Sequence, residues 1–547
     1  VTAGRVRVDR VVVVTFLLAA AVRLASSWPV RIPGYFDAFY YYNVAQDVVA
    51  GRGMTDFVIW NYLDGPFELP RPSHLYWMPL TTWVAAAATW ALDGLLPPWR
   101  AVQLAFALLS ALLPALAAWL ALAWWGRRDF ALAGGLLATF TGYYFVYWGV
   151  SDTFTPFALT VALALLAGWR GLEGGHVGWW ALAGAGVGLS HLTRADGPLV
   201  GVALLAMLWA RRARVAPGPA LVALGLGYTA VMAPWWWRNV RVAGTPFPGG
   251  GTKTIWLRGY DELFSFGLEL GPGRYLAWGL WPIVRSKLSG VVWNGVILAG
   301  GLQFFLVPPV VAGARRRWGE TRVRLIVTYT AVLLGVMALV FTFPSRRGST
   351  LHSAAALLPW LSALVPGGIA AGVAWVARRR PSWHPEQATK VFLWGFVGMA
   401  VFVSLWQYAL GVWFASGPSA VLPPWNRRFE HYAAVDRWLE AAGAPADQPV
   451  VVVDPPSFYG TTGRWAVVAP TDGLASLEAV ADLFGARFLV LESDHAAPYD
   501  EAYRSGQLPG WQTCVRFEDA LGKAVWLLER VEAEQSERSP CAVSDPN

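Results

Sequence analysis

Long apolar runs recur along the chain with short polar clusters between them, and their lengths set the first expectation. After Arg5, Arg7 and Arg10 comes the apolar run Val11 to Leu24. Further runs occupy about 101–125, 129–149, 154–169, 178–192, 197–210, 218–236, 292–313, 323–343, 353–377 and 390–414. Each is near the roughly 20 residues that carry a helix across a hydrocarbon core, with several on the short side. With the first run they make about eleven, so an α-helical polytopic membrane protein of about eleven transmembrane helices is expected. The first run lacks a clear small-residue cleavage site and leads straight into an acidic loop, so it reads as a retained helix.

The stretch Leu80 to Leu96 is apolar enough to be taken for another span. If it crossed, Arg127-Arg128, Arg211-Arg212, Arg315-Arg316-Arg317 and Arg378-Arg379-Arg380 would all face outward, against the bias that keeps basic loops in the cytoplasm. It therefore reads as a helix lying in or dipping into the outer interface. The N-terminus is then cytoplasmic, and the first loop, residues 29–100, is extracytoplasmic, as is everything after the last span.

After the last span the pattern changes. Ser416-Gly417-Pro418 and Pro423-Pro424 mark a linker over 416–427. Residues 428–442 read as a helix, Pro449 to Asp454 as a buried strand, Leu474 to Phe484 as a helix, and Phe488 to Glu492 and Val525 to Glu529 as strands. A small extracytoplasmic α/β domain over 428–531 is thus expected to follow a membrane domain over 1–415, with a polar, disordered tail over 532–547. Cys514 and Cys541 both follow the last span and can pair in an oxidising compartment; spacing leaves the pairing open.

Composition agrees and removes some alternatives. Hydrophobic residues make up 56% of the chain and charged ones 14%, and the mean hydropathy is +0.42. A net charge of +8 would suggest nucleic acid in a soluble protein. Here the basic residues form short loop clusters that orient helices, so no nucleic-acid partner is expected. The 33 Trp and 18 Tyr suit anchors at the lipid headgroups, and Trp is also a usual sugar-stacking surface. No P-loop, nucleotide-binding glycine fingerprint or cysteine-histidine metal pattern occurs, which argues against a nucleotide-driven pump.

The polar residues that the topology does not explain are the candidates for chemistry. Arg194, Arg238, Arg241, Lys253, Arg346 and Arg347 lie toward the outer side, where each either snorkels to the headgroups or holds an anion such as a lipid phosphate. Asp37, within Tyr35-Phe36-Asp37-Ala38-Phe39-Tyr40-Tyr41-Tyr42, is either a partly buried general base or a helix cap. Asp152 is a second outward carboxylate or an N-cap, with Pro156 in the first turn after it. Gly249-Gly250-Gly251-Thr252-Lys253 suggests either a mobile cover or a plain connection.

The layout resembles the GT-C membrane glycosyltransferases, in particular the branch with the dolichyl-phosphate-mannose protein mannosyltransferases and the lipid A aminoarabinose transferase. The resemblance covers about the first 380 residues and follows the order of landmarks. Asp37 matches the family's first acidic residue. His74-Leu75-Tyr76-Trp77-Met78-Pro79-Leu80 looks like the loop end where the family often has a basic residue before Pro-Pro-Leu, although the double proline is missing. Asp152 sits at the second acidic position. His191-Leu192-Thr193-Arg194-Ala195-Asp196-Gly197 resembles a Leu-Thr-Lys-Gly turn with Arg194 for the lysine. Arg346-Arg347-Gly348, then His352 and Pro359, is similar to the basic residue and Tyr-x-x-Pro segment near the donor phosphate.

That resemblance implies transfer of a sugar from a polyprenyl-phosphate donor to a glycan, lipid or protein acceptor on the outer face, with inversion. Asp37 would be the general base. Arg194, Arg346 and Arg347, with Arg238 and Lys253, would hold the phosphate. Asp152, the second catalytic carboxylate, would position acceptor or sugar, and His74, Tyr76, Tyr41, Asp196 and His352 would position substrate. The oligosaccharyltransferase branch places a divalent cation between outer carboxylates, and Asp37 with Asp152 can form such a pair. The closer resemblance is to the branch without one, so no metal and no other cofactor is expected. The alternative is a polytopic lipid or sugar transporter, which usually shows mid-span charges and repeated halves, neither of which this sequence has.

Overall fold

A computed structural model describes residues 9–63, 65–174, 176–342, 349–380, 382–416, 421–531 and 541. Asp64, Arg346, Arg347 and the tail other than Cys541 lie outside the described residues.

Among the described residues, nine α-helices lead the chain as far as the glycine-rich loop: α1 (Arg10–Ser27), α2 (Phe36–Val49), α3 (Leu80–Ala91), α4 (Pro98–Trp125), α5 (Arg128–Thr139), α6 (Phe154–Leu172), α7 (Gly178–Thr193), α8 (Pro198–Ala210) and α9 (Pro217–Ala243). Among the described residues, seven helices are long and apolar enough to cross a membrane: α1, α4, α6, α9, Thr321–Leu339, Thr350–Ala377 and Pro385–Val412. An eighth is a bent pair. The protein is a multi-pass membrane protein. Helix α3 has 12 residues, about 18 Å at the helical rise, and so falls short of the roughly 30 Å core.

The difference from eleven has physical causes. The expected span 129–149 is broken: α5 ends at Thr139, and a 3₁₀ helix, Gly142–Gly149, leaves it at 75°. Gly142 turns the chain with φ +61°, where a Cβ would press on Gln303. Broken backbone inside a membrane needs its polar groups met from elsewhere. Arg23, buried in α1, donates to the carbonyls of Thr139 (2.8 Å) and Phe145 (3.1 Å). Gln303 donates to the Phe140 carbonyl (2.7 Å), and the Gly142 N–H donates to Ser404 Oγ (2.8 Å). The run expected at 292–313 is instead the helix Leu280–Gly301, a turn with left-handed Gln303 and Phe304, and a second helix Val307–Arg316. The early start was hidden by Lys287, whose Nζ is taken up by the carbonyls of Val340 and Phe341, each at 2.9 Å.

Among the described residues, eight strands complete the fold: β1 (Thr55–Asp56), β2 (Val58–Ile59), β3 (Arg71–Pro72), β4 (Val450–Val452), β5 (Ala466–Val468), β6 (Phe488–Leu491), β7 (Trp511–Glu518) and β8 (Ala524–Arg530). Strands β1 and β3 pair within the first loop. The other six form one sheet in the order β2-β5-β4-β6-β8-β7, parallel from β2 to β6 and antiparallel beyond. The parallel strands are apolar and buried on both faces, and helices Pro455–Thr462 and Leu474–Phe484 connect them. The first loop thus supplies the edge strand of a sheet otherwise made after the last span.

This sheet is fixed on α2. Asn43 donates to the Pro456 carbonyl at 2.8 Å, and Tyr459 Oη donates to Asp47 at 3.1 Å. Gly460 lies so close to Phe39 and Asn43 that a Cβ would overlap them. Because β2 and β4 are parallel, their carboxyl ends lie at the same edge, which leads on one strand to Trp60 and on the other to Asp454. Cys514 and Cys541 form a disulfide.

Candidate active site

Helix α2 begins with Phe36 after an extended Tyr35, which places Asp37 in its first turn, where the helix dipole favours a carboxylate. The Asp37 side chain is 27% exposed and opens into a cavity of about 330 Å³. Three kinds of wall enclose it. Tyr41, Trp60, Tyr76, Trp77 and Tyr260 make an aromatic side; Asp37, Arg194, Asp196 and His352 make a polar one. Leu199 from the short apolar helix α8, and Val336, Met337 and Phe341 from or just after the spanning helix Thr321–Leu339, make an apolar side. The aromatic wall is braced from behind: Trp60 stacks on Trp77 with centroids 4.2 Å apart and meets Tyr76 edge-on at 4.8 Å.

Two carboxylates share one imidazole. His352 Nε2 lies 3.0 Å from Asp152 Oδ2 and 3.4 Å from Asp37 Oδ2, with its ring stacked on Phe154 at 4.5 Å. Tyr35 Oη donates to the same Asp152 oxygen at 2.6 Å, and the Thr153 N–H donates to the other oxygen. Arg194 caps the end of α7 and is oriented by its neighbours: Nε reaches Asp196 Oδ1 at 3.0 Å and Ser353 Oγ at 3.2 Å, and Nη1 donates to Thr153 Oγ1 at 3.1 Å. Ser353 Oγ also donates to Asp196. The chain around 151–153, the end of α7 and the segment at 352–353 are thereby tied into one polar unit.

The carboxylates differ in acidity. Burial pushes the Asp37 carboxyl up to about 6; the Asp152 charge acts in the same sense, while His352 and Arg194 oppose it. Burial also works against ionised Asp152, but its bonds with His352, Tyr35 and the Thr153 amide hold it below the ordinary carboxylate range. Near neutral pH the pair therefore has one fixed anion, Asp152, beside one that takes up a proton easily, Asp37. Ligand atoms of Asp37, Asp152 and His352 all lie within 4.8 Å of one another, so these three could also hold a divalent ion.

The other residues singled out in the sequence fall in different places. Asp37, Tyr41, Tyr76, Arg194, Asp196 and His352 line the cavity, and Asp152 stands directly behind His352. His74 is 2% exposed, has φ 57°, contacts Thr82 Oγ1 at 3.0 Å and stacks on Tyr41; it supports the wall from behind. Burial and then Arg238 push its pKa down to about 3, so it is neutral. Arg238 donates to the Ser73 carbonyl at 2.7 Å and faces a groove on α9 instead of the cavity. Lys253 donates from Nζ to the Leu63 carbonyl at 2.7 Å, while its neighbours Gly251 and Thr254 reach the cavity. Arg346 and Arg347 lie outside the described residues.

Trp60, Trp77, Tyr35, Thr153, Tyr260 and Ser353 are among the participants that sequence reasoning did not single out. Trp77 and Ser353 adjoin residues that it did, Tyr76 and His352. Trp60 follows a two-residue strand whose partner is some 400 positions away, and no local signal marks it.

Comparisons with known proteins bear on the fold. No family model matches the sequence, and no curated protein matches it. Among solved structures, the chain is similar to ArnT from Cupriavidus metallidurans, crystallised with undecaprenyl phosphate bound. The TM-score is 0.56 over 95% of this chain and 98% of that one, at 14% identity. The likeness is one of fold.

Proposed function

We propose that this chain, which carries the GT-C fold, is a membrane glycosyltransferase that moves a sugar from a polyprenyl-phosphate donor to an acceptor hydroxyl on the extracytoplasmic face, with inversion. The observation that carries the reading is Asp37: a carboxylate with a pKa near 6, open to a cavity walled by aromatic rings on one side and spanning helices on another, beside an oriented arginine.

In the reaction, the acceptor hydroxyl attacks the anomeric carbon and its proton passes to Asp37. The bond from that carbon to the phosphate oxygen breaks, and the phosphate leaves with the electron pair. A base with its pKa near the working pH is efficient at this step. Arg194 meets the charge growing on the leaving phosphate, and its bonds to Asp196, Ser353 and Thr153 set it in place beforehand, so little reorganisation is needed. Arg346 and Arg347 join it on the sequence reading. The rings of Tyr41, Tyr76, Trp60 and Trp77 suit the apolar faces of a sugar, and Leu199, Val336, Met337 and Phe341 suit the first prenyl units of the lipid. Asp152 holds His352 in position, and the transfer proceeds without a metal.

The test compares wild type with Asp37→Asn in liposomes supplied with labelled polyprenyl-phosphate sugars and membrane extract as acceptor. Donor binding is retained while transfer falls at least about 100-fold, the low end for loss of a general base. If wild type binds no such lipid and transfers nothing, while carrying a lipid or sugar across the bilayer, the transporter reading replaces this one.

A further inference from the structure

The cavity is not the only place where cations meet the bilayer. A second, shallow groove of about 510 Å³ lies on the C-terminal end of α9, lined by Pro234, Trp237, Arg238, Arg241 and Val242. None of these five lines the cavity. Arg238 and Arg241 stand three positions apart and so share one face of the helix. Each guanidinium lies over an indole: Arg241 is 4.4 Å from the Trp237 ring and Arg238 is 4.8 Å from Trp235. Arg238 is further held by bonds from Nη2 to the Ser73 carbonyl (2.7 Å) and from Nη1 to Asn239 Oδ1 (3.3 Å).

Among the described residues, no acidic side chain forms a direct ion pair with either arginine, and Asp56 acts on Arg238 only through its field. Two like charges on one face repel each other unless an anion joins them. Stacking engages the flat face of the Arg241 guanidinium and leaves its N–H groups to receive phosphate oxygens, while Arg238, whose Nη groups are engaged by Ser73 and Asn239, adds its positive charge beside them. The surface beside the groove is apolar. Trp237 is 52% and Val240 50% exposed, and further along the helix Val222 and Leu226 are 62% and 66% exposed. Only 17% of the spanning window of α9 is buried by protein, so this flank meets lipid. A phosphate held here would thus come with hydrocarbon chains lying along α9.

We propose that the C-terminal end of α9 is a binding site for the phosphate of an anionic phospholipid, held between Arg238 and Arg241 and separate from the catalytic cavity. Its occupant is a phospholipid and not free phosphate, because the groove is shallow and the apolar flank of α9 supplies the rest of the contact.

The test uses the purified full chain in mixed micelles with phosphatidylglycerol or phosphatidylcholine, and counts retained lipids by native mass spectrometry. Wild type retains phosphatidylglycerol in preference, and Arg241→Gln loses roughly fivefold of that preference, the effect of one cation near an anionic headgroup. Arg241→Glu loses it entirely. Trp237→Leu, which removes the stacking surface, acts in the same direction by less and serves as the second variant should the arginine variants purify poorly. The proposal is overturned if Arg241→Glu and Trp237→Leu retain the wild-type preference. It is overturned as well if millimolar inorganic phosphate displaces the lipid, since the site would then recognise the free anion.

Discussion

Two carboxylates of the first loop look alike by electrostatics and differ in access. Burial pushes Asp37 up to about 6 and Asp56 up to about 7. Both have a tyrosine and a basic group close by: Tyr40 Oη donates to Asp56 at 3.1 Å and Arg71 lies 3.9 Å from it, while Tyr35 and His352 reach Asp37 or its neighbour Asp152. Asp56, however, is 3% exposed and enclosed by β1 and β3, whereas Asp37 is 27% exposed and opens into the cavity. A raised pKa thus records burial in both places. On the proposed reading, what makes a base of Asp37 and not of Asp56 is that a substrate can reach it.

The largest expected effect separates the two directly. Asp37→Asn removes at least about 100-fold of transfer, while Asp56→Asn, made in the same liposomes, leaves the rate within a few-fold of wild type. Equal losses in both would mean that the first loop acts as a unit and that access does not discriminate.

The acid limb of the pH profile sharpens the assignment. Asp37 must be ionised to take a proton, so activity rises with pH through about 6 and falls about tenfold per unit below it. His352 lowers the Asp37 pKa and Asp152 raises it. His352→Gln should therefore move the limb above 6 and Asp152→Asn should move it below, each with a rate loss of roughly tenfold or more from the lost charge-assisted bond. Limbs that stay in place in both variants would assign the ionisation to another group. The same three residues give the metal test: excess chelator leaves transfer unchanged, and a loss restored by added Mg²⁺ or Mn²⁺ would make Asp37, Asp152 and His352 ligands.

Asp56 has a stability signature instead of a kinetic one. A carboxyl with its folded pKa above its unfolded value binds its proton more tightly when folded, so stability declines as pH rises from 3.8 to about 7 and then levels. Asp56→Asn, which imitates the protonated form, is expected to melt above wild type at pH 8, by less at pH 5, and to approach it only near pH 4. A difference that does not change with pH would remove Asp56 ionisation as its cause.

How much of this could be read from the chain depends on the range of the interaction. Asp37, Asp152 and Arg194 stood out as polar residues on the outer side that the topology does not explain, and His352 through the family resemblance; the fold brings all four together. The strands at 450–452, 488–491 and 524–530 were legible as short buried runs, while β5, three residues long, and β2, two, were not. Pairing of β2 with β5 depends on residues in two distant parts of the chain, and neither shows a period of its own. The bend after Thr139 was equally hidden, since Arg23, Gln303 and Ser404 supply its missing bonds from three other helices or turns. The large number of tryptophans suggested interfacial anchors and so obscured Trp60 and Trp77.

The smallest effect tests whether the sheet controls the cover of the cavity. Tyr260 and Leu263 line the cavity, and the segment carrying them is fastened to the loop after β5. The Thr471 N–H donates to the Phe264 carbonyl (3.2 Å), and Thr471 Oγ1 donates to the Asp261 carbonyl (2.7 Å) and lies 3.1 Å from Ser265 Oγ. The Phe266 N–H donates to Asp472 Oδ1 at 3.1 Å. Thr471→Val keeps the branched shape and removes the hydroxyl bonds, a loss of about 1 kcal/mol or roughly fivefold in the closed population. Hydrogen exchange at 261–266 should quicken by that factor and the donor KM should rise, with the melting temperature unchanged. Unaltered exchange would mean that the segment is held from the first loop instead, through the Tyr62 N–H on the Leu263 carbonyl at 3.4 Å. The role of the sheet would then be confined to supplying the edge that carries Trp60.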